Sequence, residues 1–328
     1  MTGPDRPRVE PEPTLLDEAA RAGWLYYVAG MTQDQIALEL GVSRQRAQRL
    51  VSRAVAEGLV RVRLDHPIAR CIELEAGLVR RYGLQQARVA PGLGPGADPA
   101  RATAAAAAAL LESHLARAEP QTIAFGTGRA LSAMVGEIAA QPNERHRIVS
   151  LIGNIAPDGS ASFFDVIMRL AAKLHAPHFP MPVPLISETP QERALFHALR
   201  PVQIAARLAR EADVVFVGIG QMGEDAPLWK DGFVTRAQLS EMQAKGAAGE
   251  IAGAVIDARG NYIETPISAL VGGVRVEPGR PVPVIGVAAG PSKVVAVRAA
   301  LLGRIVNCLV TDEPTAEALL AICDLPES

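Results

Sequence analysis

The stretch MTQDQIALELGVSRQRAQRLVSRAVAEG, Met31 to Gly58, decides how the chain begins. Thr32 is placed to cap a helix over QDQIALEL, whose Ile36, Ala37 and Leu40 share one side. Gly41 interrupts it, and Ser43 caps a second helix that runs to Gly58 with Ala47, Leu50, Val51, Ala54 and Val55 as its apolar face. Helix, tight turn through Gly41 and Val42, helix is the helix-turn-helix arrangement. Upstream, apolar residues at helical spacing predict another helix over Leu15–Ala29, ended by Gly30. Downstream, LVRVRLDHP alternates apolar and polar from Leu59 to Leu64, a short strand or wing closed by Pro67.

The charge of this segment departs from that of the whole. The 328 residues carry a formal net charge of −2, which gives no general attraction for nucleic acid. Between Gly41 and Arg63, however, six arginines face a single acid, Glu57, a local net of +5. Offsets of three and four residues gather Arg44, Gln45, Gln48 and Arg49 on the polar side of the second helix. Arginine suits guanine edges and glutamine suits adenine, so these four are the expected base readers in double-stranded DNA. Arg46, Arg53, Arg61 and Arg63 are expected phosphate contacts, and Ser43 can bond a phosphate from the helix N-terminus.

An apolar content of 49% with 21% charged residues allows a large core, and the length suits one small and one large domain. Cys71, Cys308 and Cys323 lie far apart with no CxxC spacing, which excludes a disulfide framework and points to buried thiols in a reducing cytoplasm. The six histidines show no ligand spacing, and His175 and His178 straddle Pro177, so neither metal nor cofactor is expected. No apolar run reaches the roughly 18 residues that span a bilayer. The expected organisation is a disordered head over 1–13, a DNA-binding domain over 14–66, a linking helix over 67–84 and a large domain over 85–328.

Beyond Tyr82 short apolar strands alternate with helices, the texture of a parallel α/β sheet. Strands are expected at Ala87–Ala90, Thr122–Gly126, Ile148–Ile152, His178–Val183, Val214–Ile219, Gly253–Ile256, Val284–Ala288 and Ile305–Thr311. The helices between them include the alanine-rich Pro99–Arg117, where Leu110, Leu111 and Leu115 mark a packed face. The fold class is therefore a small all-α, winged helix-turn-helix domain followed by a large α/β domain with a mostly parallel sheet.

Open α/β sheets bind ligands at the carboxyl ends of their strands. FGTGRAL (Phe125–Leu131) sets a Gly-Thr-Gly turn between strand and helix, where backbone N–H groups and the positive helix end can hold an anion; that the glycines serve only the turn stands equally open. VGIGQMGED places Gly218, Ile219 and Gly220 at another strand end, but its glycine spacing is wrong for a dinucleotide loop. Asn154 offers both donor and acceptor, and Glu250 and Asp257 are carboxylates able to accept from sugar hydroxyls. On spacing alone, a helix-cap role for Glu250 and a turn role for Asp257 stand equally open. Lys293 sits in the first turn of a helix, electrostatically misplaced unless an anion shares the site.

The pattern as a whole resembles the sugar-binding transcriptional regulators of the SorC/DeoR type. The resemblance covers nearly the full chain and rests on GMTQDQIALELGVSRQRAQRLVSRAVAEGLVRV, IAFGTGRALSAMV, ADVVFVGIG with GAAGEIAGAVID, and VIGVAAGPSKVVAVRAALLGRIVNCLVTDEPTA. It implies a large domain similar to glucosamine-6-phosphate deaminase, ribose-5-phosphate isomerase and CoA transferase, used to sense rather than to react. It also implies homo-oligomers, tetramers or dimers, and an effector that is a sugar, polyol or sugar phosphate. The effector residues it implies are Gly126, Thr127, Gly128, Arg129, Asn154, Gly218, Ile219, Gly220, Glu250, Asp257 and Lys293. Two departures weigh against a phosphorylated effector: Ala130 stands where the family often has a hydroxyl, and Glu250 where it has Asp. The segment AGWLYYVAGMTQDQIA is similar to the subgroup that controls erythritol and related polyol catabolism.

Three functions compete on these residues. The first is a regulator of a carbohydrate or polyol operon whose operator affinity an effector controls. The second is a sugar-phosphate isomerase or deaminase, against which no general base with a supporting acid can be assembled from motif spacing. The third is a helix-turn-helix protein whose large domain only oligomerises.

Overall fold

The computed structural model describes residues 14–57, 59–60, 67–94, 96–156, 158–160 and 166–322. The expected disordered head, Arg61, Arg63, most of the expected wing and Cys323 lie outside these residues. The chain divides into two compact units, Met1–His66 and Pro67–Ser328.

The first unit contains three helices among its described residues, α1 (Leu15–Tyr27), α2 (Gln33–Glu39) and α3 (Arg44–Ala56). Each starts where a hydroxyl caps it: Thr14 and Thr32 form reciprocal capping boxes with Asp17 and Gln35, and Ser43 Oγ accepts from Arg46 N. Between α2 and α3 the chain turns at Gly41, whose φ of 62° is the left-handed conformation glycine tolerates best. Ala19, Ala22, Leu25, Ile36, Ala47, Leu50, Val51 and Ala54 are buried together between the helices. Val55, expected on the apolar face, is 44% exposed and lies at that face's edge.

In the second unit a parallel sheet of seven strands has the order β1-β10-β9-β5-β2-β3-β4. The strands are β1 (Gln86–Ala90), β2 (Thr122–Phe125), β3 (Arg147–Ile155), β4 (His178–Pro184), β5 (Val214–Gly218), β9 (Val284–Val287) and β10 (Cys308–Asp312). Successive side chains point to opposite faces, so both faces are packed. Ile123, Phe125, Val214 and Phe216 meet α5 (Pro99–Leu115), α6 (Arg129–Glu137) and α7 (Val166–Leu174). Ala124, Val215 and Val217 meet α9 (Arg200–Arg210), α12 (Val294–Leu302) and α13 (Glu313–Ala321) on the other side.

Two expectations are corrected here. The segment over 67–84 does not stand apart as a linker, because its helix α4 (Pro67–Tyr82) packs with β1 and α13 inside the larger unit. Tyr82 Oη donates to Leu319 O at 3.0 Å, and Arg70 pairs with Glu317 at 3.0 Å. The strand expected at Gly253–Ile256 also does not join the parallel sheet. It is β8 (Ala254–Asp257) of a separate antiparallel sheet with β6 (Gly220–Gln221) and β7 (Ala247–Ile251). Only the two residues Ala252 and Gly253 join β7 to β8, both with positive φ, and so short a turn can connect only antiparallel strands. Three further helices, α8 (Pro190–Ala198), α10 (Pro227–Lys230) and α11 (Arg236–Ala244), complete the unit.

Candidate effector pocket and DNA-binding helix

On α3 the buried residues Ala47, Leu50, Val51 and Ala54 fix the inward face. Gln45, Gln48 and Arg49 are exposed on the opposite side and make no ion pair among the described residues. Arg44 and Arg46 fall on the two flanks instead. Arg44 reaches Asp34 of α2 at 3.3 Å, and Arg46 reaches Glu18 of α1 at 2.8 Å. Arg53 pairs with Glu57 one turn on at 3.5 Å. Gln45, Gln48 and Arg49 thus lie at the centre of the exposed face of α3, with Arg44 and Arg46 at its edges. Ser43 Oγ accepts the Arg46 amide at 3.2 Å and retains its own proton to donate.

The large unit has its topological switch between β2 and β5, since the chain adds β3 and β4 on one side and β9 and β10 on the other. At the carboxyl ends of β2, β5 and β9 lies a cavity of about 330 Å3. Gly126, Thr127, Gly128 and Arg129 line it from the β2 end, Gly218, Ile219 and Gly220 from β5, Glu250 from β7, and Lys293 from the loop after β9. These are nine of the residues expected from sequence. Asn154 and Asp257 are not brought to it. Asp257 holds its own turn, accepting from Arg259 N at 2.8 Å and from Asn261 N at 2.9 Å. Asn154 lies near the end of β3, with its side-chain oxygen buried and unpartnered among the described residues.

α6 starts at Gly128 without a side-chain cap hydrogen bond, and its positive end faces the cavity. Lys293 Nζ donates to Ile219 O at 2.7 Å. Burial pulls its ammonium below the ordinary lysine range, against the pull of the Glu250 charge. Burial likewise pushes the Glu250 carboxyl above the ordinary glutamate range, while its bond from Gly253 N, at 3.0 Å, and the charge of Lys293 oppose the shift. Gly220 is needed beside it: a Cβ there would stand 2.6 Å from Glu250 Cγ and 2.7 Å from Cδ. Arg129 pairs with Asp231 at 2.8 Å at the pocket wall.

A family profile described as "Putative sugar-binding domain" matches residues 66–321, and a profile of the MarR family matches residues 22–67. The chain belongs to the sugar-binding transcriptional regulators of the SorC/DeoR type. The regulator is 35% identical over 302 residues to the erythritol catabolism regulatory protein EryD of Brucella abortus, covering 92% of this chain and 96% of that one. It is 32% identical over 313 residues to the transcriptional regulator LsrR of Klebsiella pneumoniae, covering 92% of each. Among solved structures, the full-length sorbitol operon regulator SorC of Klebsiella pneumoniae superposes with a TM-score of 0.69 at 28% identity, over 92% of this chain and 97% of that one. The regulator is thus a DNA-binding transcription factor with a sugar-binding domain, and not an enzyme. No helix among its described residues is long and apolar enough to cross a membrane.

Sequence reasoning missed several residues of the pocket. Asp98, Asp231 and Phe233 line it, as do Ala252 and Gly253 of the β7–β8 turn. Asp98 reads as the N-cap of α5 and nothing more, accepting from Ala100 N at 3.0 Å. Asp231 and Phe233 follow α10, a four-residue helix with no periodic signal of its own.

Proposed function

We propose that the regulator senses a small uncharged polyol of the erythritol class in the cavity at the strand ends, and that α3 reads the operator through Gln45, Gln48 and Arg49. The carrying observation is the state of the pocket's charges. Three acids, Asp98, Asp231 and Glu250, share it with two bases, Arg129 and Lys293. Both bases are already engaged, Arg129 with Asp231 and Lys293 with the Ile219 carbonyl. With three acids against two bases the pocket has no surplus positive charge for a phosphate dianion, whereas a polyol uses the carboxylates as acceptors and the ammonium protons of Lys293 not given to Ile219 O as donors. A volume near 330 Å3 falls within the range of small-molecule sites. The name of the Brucella relative, a regulator of erythritol catabolism, supports the same class.

In this reading Arg44, Arg46, Arg53 and Ser43 contact phosphates at the edges of the α3 footprint, on operator DNA of a polyol catabolic operon in the cytoplasm. Residues 14–66 bind DNA, and 67–328 bind the effector and assemble the protein as a homo-oligomer, a dimer or tetramer. The chain's position among helix-turn-helix regulators supports the assembly, because such proteins meet two operator half-sites with two copies. Thermal-shift titration with erythritol, ribitol, sorbitol and erythritol phosphate tests the effector class. A neutral polyol is expected to raise the melting temperature. A response to the phosphate ester alone would overturn the reading.

A further inference from the structure

On the other side of the β7–β8 turn from the effector pocket lies a second cavity, of about 430 Å3. The two share a single lining residue, Ala252. Four arginines line the second cavity, Arg193, Arg210, Arg275 and Arg280, against two glutamates, Glu264 and Glu277. None of the four forms an ion pair with a carboxylate among the described residues.

Backbone and aromatic contacts hold the guanidiniums of Arg193, Arg275 and Arg280 instead, while Arg210 contributes its carbonyl to Arg280 and keeps its own guanidinium exposed. Arg280 donates to Arg210 O at 2.8 Å and to Ala212 O at 2.9 Å, at the end of α9. Arg193 Nε donates to Val271 O, which leaves its terminal nitrogens available. Arg275 lies over the Tyr262 ring, 4.9 Å from its centre, and that ring is fixed by its hydroxyl donating to Val276 O at 2.7 Å. His197 completes the wall, with Nε2 buried and unpartnered. Burial pulls this imidazole below the ordinary histidine range, with the charges of Arg193 and Arg210 acting the same way and the Gly272 backbone opposing them. A buried polar nitrogen without a partner is costly, and a ligand hydroxyl or acid proton satisfies it. Fixed guanidinium forks match carboxylate and phosphate oxygens.

We propose that this cavity is a second ligand site of the regulator, separate from the effector pocket, which takes a small hydroxylated multivalent oxyanion through Arg193, Arg210, Arg275 and His197. The oxyanion is either a phosphate or a dicarboxylate. Calorimetric titration of the full-length protein with inorganic phosphate and, separately, with L-tartrate tests the site and distinguishes the two sources. At least one probe is expected to bind the wild type and to bind Lys293→Ala, altered in the effector pocket, with affinity within about twofold. Arg210→Ala/Arg275→Ala is expected to weaken that binding at least about tenfold, with an unchanged urea midpoint. Arg210 and Arg275 are both exposed, so their removal spares the core; should the double variant unfold, Arg210→Ala alone serves, with a loss of at least about threefold. Failure of both probes to bind the wild type below about 10 mM overturns the proposal. So does undiminished binding by the arginine variant, or loss of binding in Lys293→Ala, which would place the anion in the effector pocket.

Discussion

Replacing Gly220 with alanine probes the effector pocket without touching the core. The new Cβ would stand 2.6 Å from Glu250 Cγ and 2.7 Å from Cδ, so the glutamate side chain has to swing away. The backbone at Gly220 is not in the left-handed region, and the obstructing atoms belong to a flexible side chain, so the strand itself accepts the change. The loss falls on Glu250, whose bond from Gly253 N at 3.0 Å is broken. A hydrogen bond to a charged group contributes about 1.5–3 kcal/mol, which bounds the expected loss of stability. If Glu250 also accepts a polyol hydroxyl, a similar loss falls on binding and weakens affinity about tenfold to hundredfold. Gly136→Ala is the control: it lies exposed on α6 with nothing near its Cβ, and should gain up to about 1 kcal/mol from helix propensity with affinity unchanged. Urea melts measure the first quantity and polyol titration the second. Wild-type polyol affinity in Gly220→Ala would refute the role given to Glu250.

Further outcomes follow from other parts of the molecule. Gln45→Ala/Arg49→Ala should abolish specific operator binding with the helical signal intact, and an unchanged footprint would remove the trio from the interface. Arg46→Ala loses an ion pair to Glu18 that is partly solvent-exposed, so stability should fall by no more than about 1 kcal/mol; if Arg46 contacts a phosphate, the salt dependence of DNA binding should lose about one unit of slope. Phe216→Ala should cost about 3–5 kcal/mol in a urea melt, because Phe216 is fully buried and stacks on Phe125 at 5.5 Å. Glu250 has its folded-state pKa raised, so from about 4.5 upward the folded chain holds a proton that the unfolded chain has released, and stability falls as pH rises through that window. Glu250→Gln should flatten this part of the pH profile and be stabilising at neutral pH, measured by urea melts at several pH values.

Much of this was legible in the sequence because the relevant signals are local. Thr32, Gly41 and Ser43 mark helix ends by the chemistry of caps and turns, and the structure sets α2 and α3 at those signals. The parallel strands read as short apolar runs because both faces of the sheet are covered. The glycine-rich ends of β2 and β5 pointed to the pocket for the same reason: a switch point places strand ends there. What the sequence concealed depends on pairing across long separations. Glu250 occupies a strand rather than a helix cap because β7 pairs with β6, nearly thirty residues earlier, at Gly220. Asp257 uses both carboxylate oxygens to hold its own turn, away from the residues that line the pocket. Asp231 lines the pocket with its chain neighbours Leu228 and Phe233 and pairs there with Arg129, 102 residues away, a contact no spacing rule anticipates. Arg44, grouped in sequence with Gln45, Gln48 and Arg49, sits at the edge of that face beside Asp34, a partner on another helix.

The central claim is that a ligand at the strand ends controls the grip of α3 on DNA. Fluorescence anisotropy of the full-length protein on labelled DNA from upstream of its own gene, titrated with erythritol, tests it most directly. The account predicts a change in operator affinity of about 5- to 150-fold that disappears in Lys293→Ala, with that variant still binding DNA in the absence of ligand. DNA affinity that stays constant across the titration, or a response that Lys293→Ala retains in full, would contradict it.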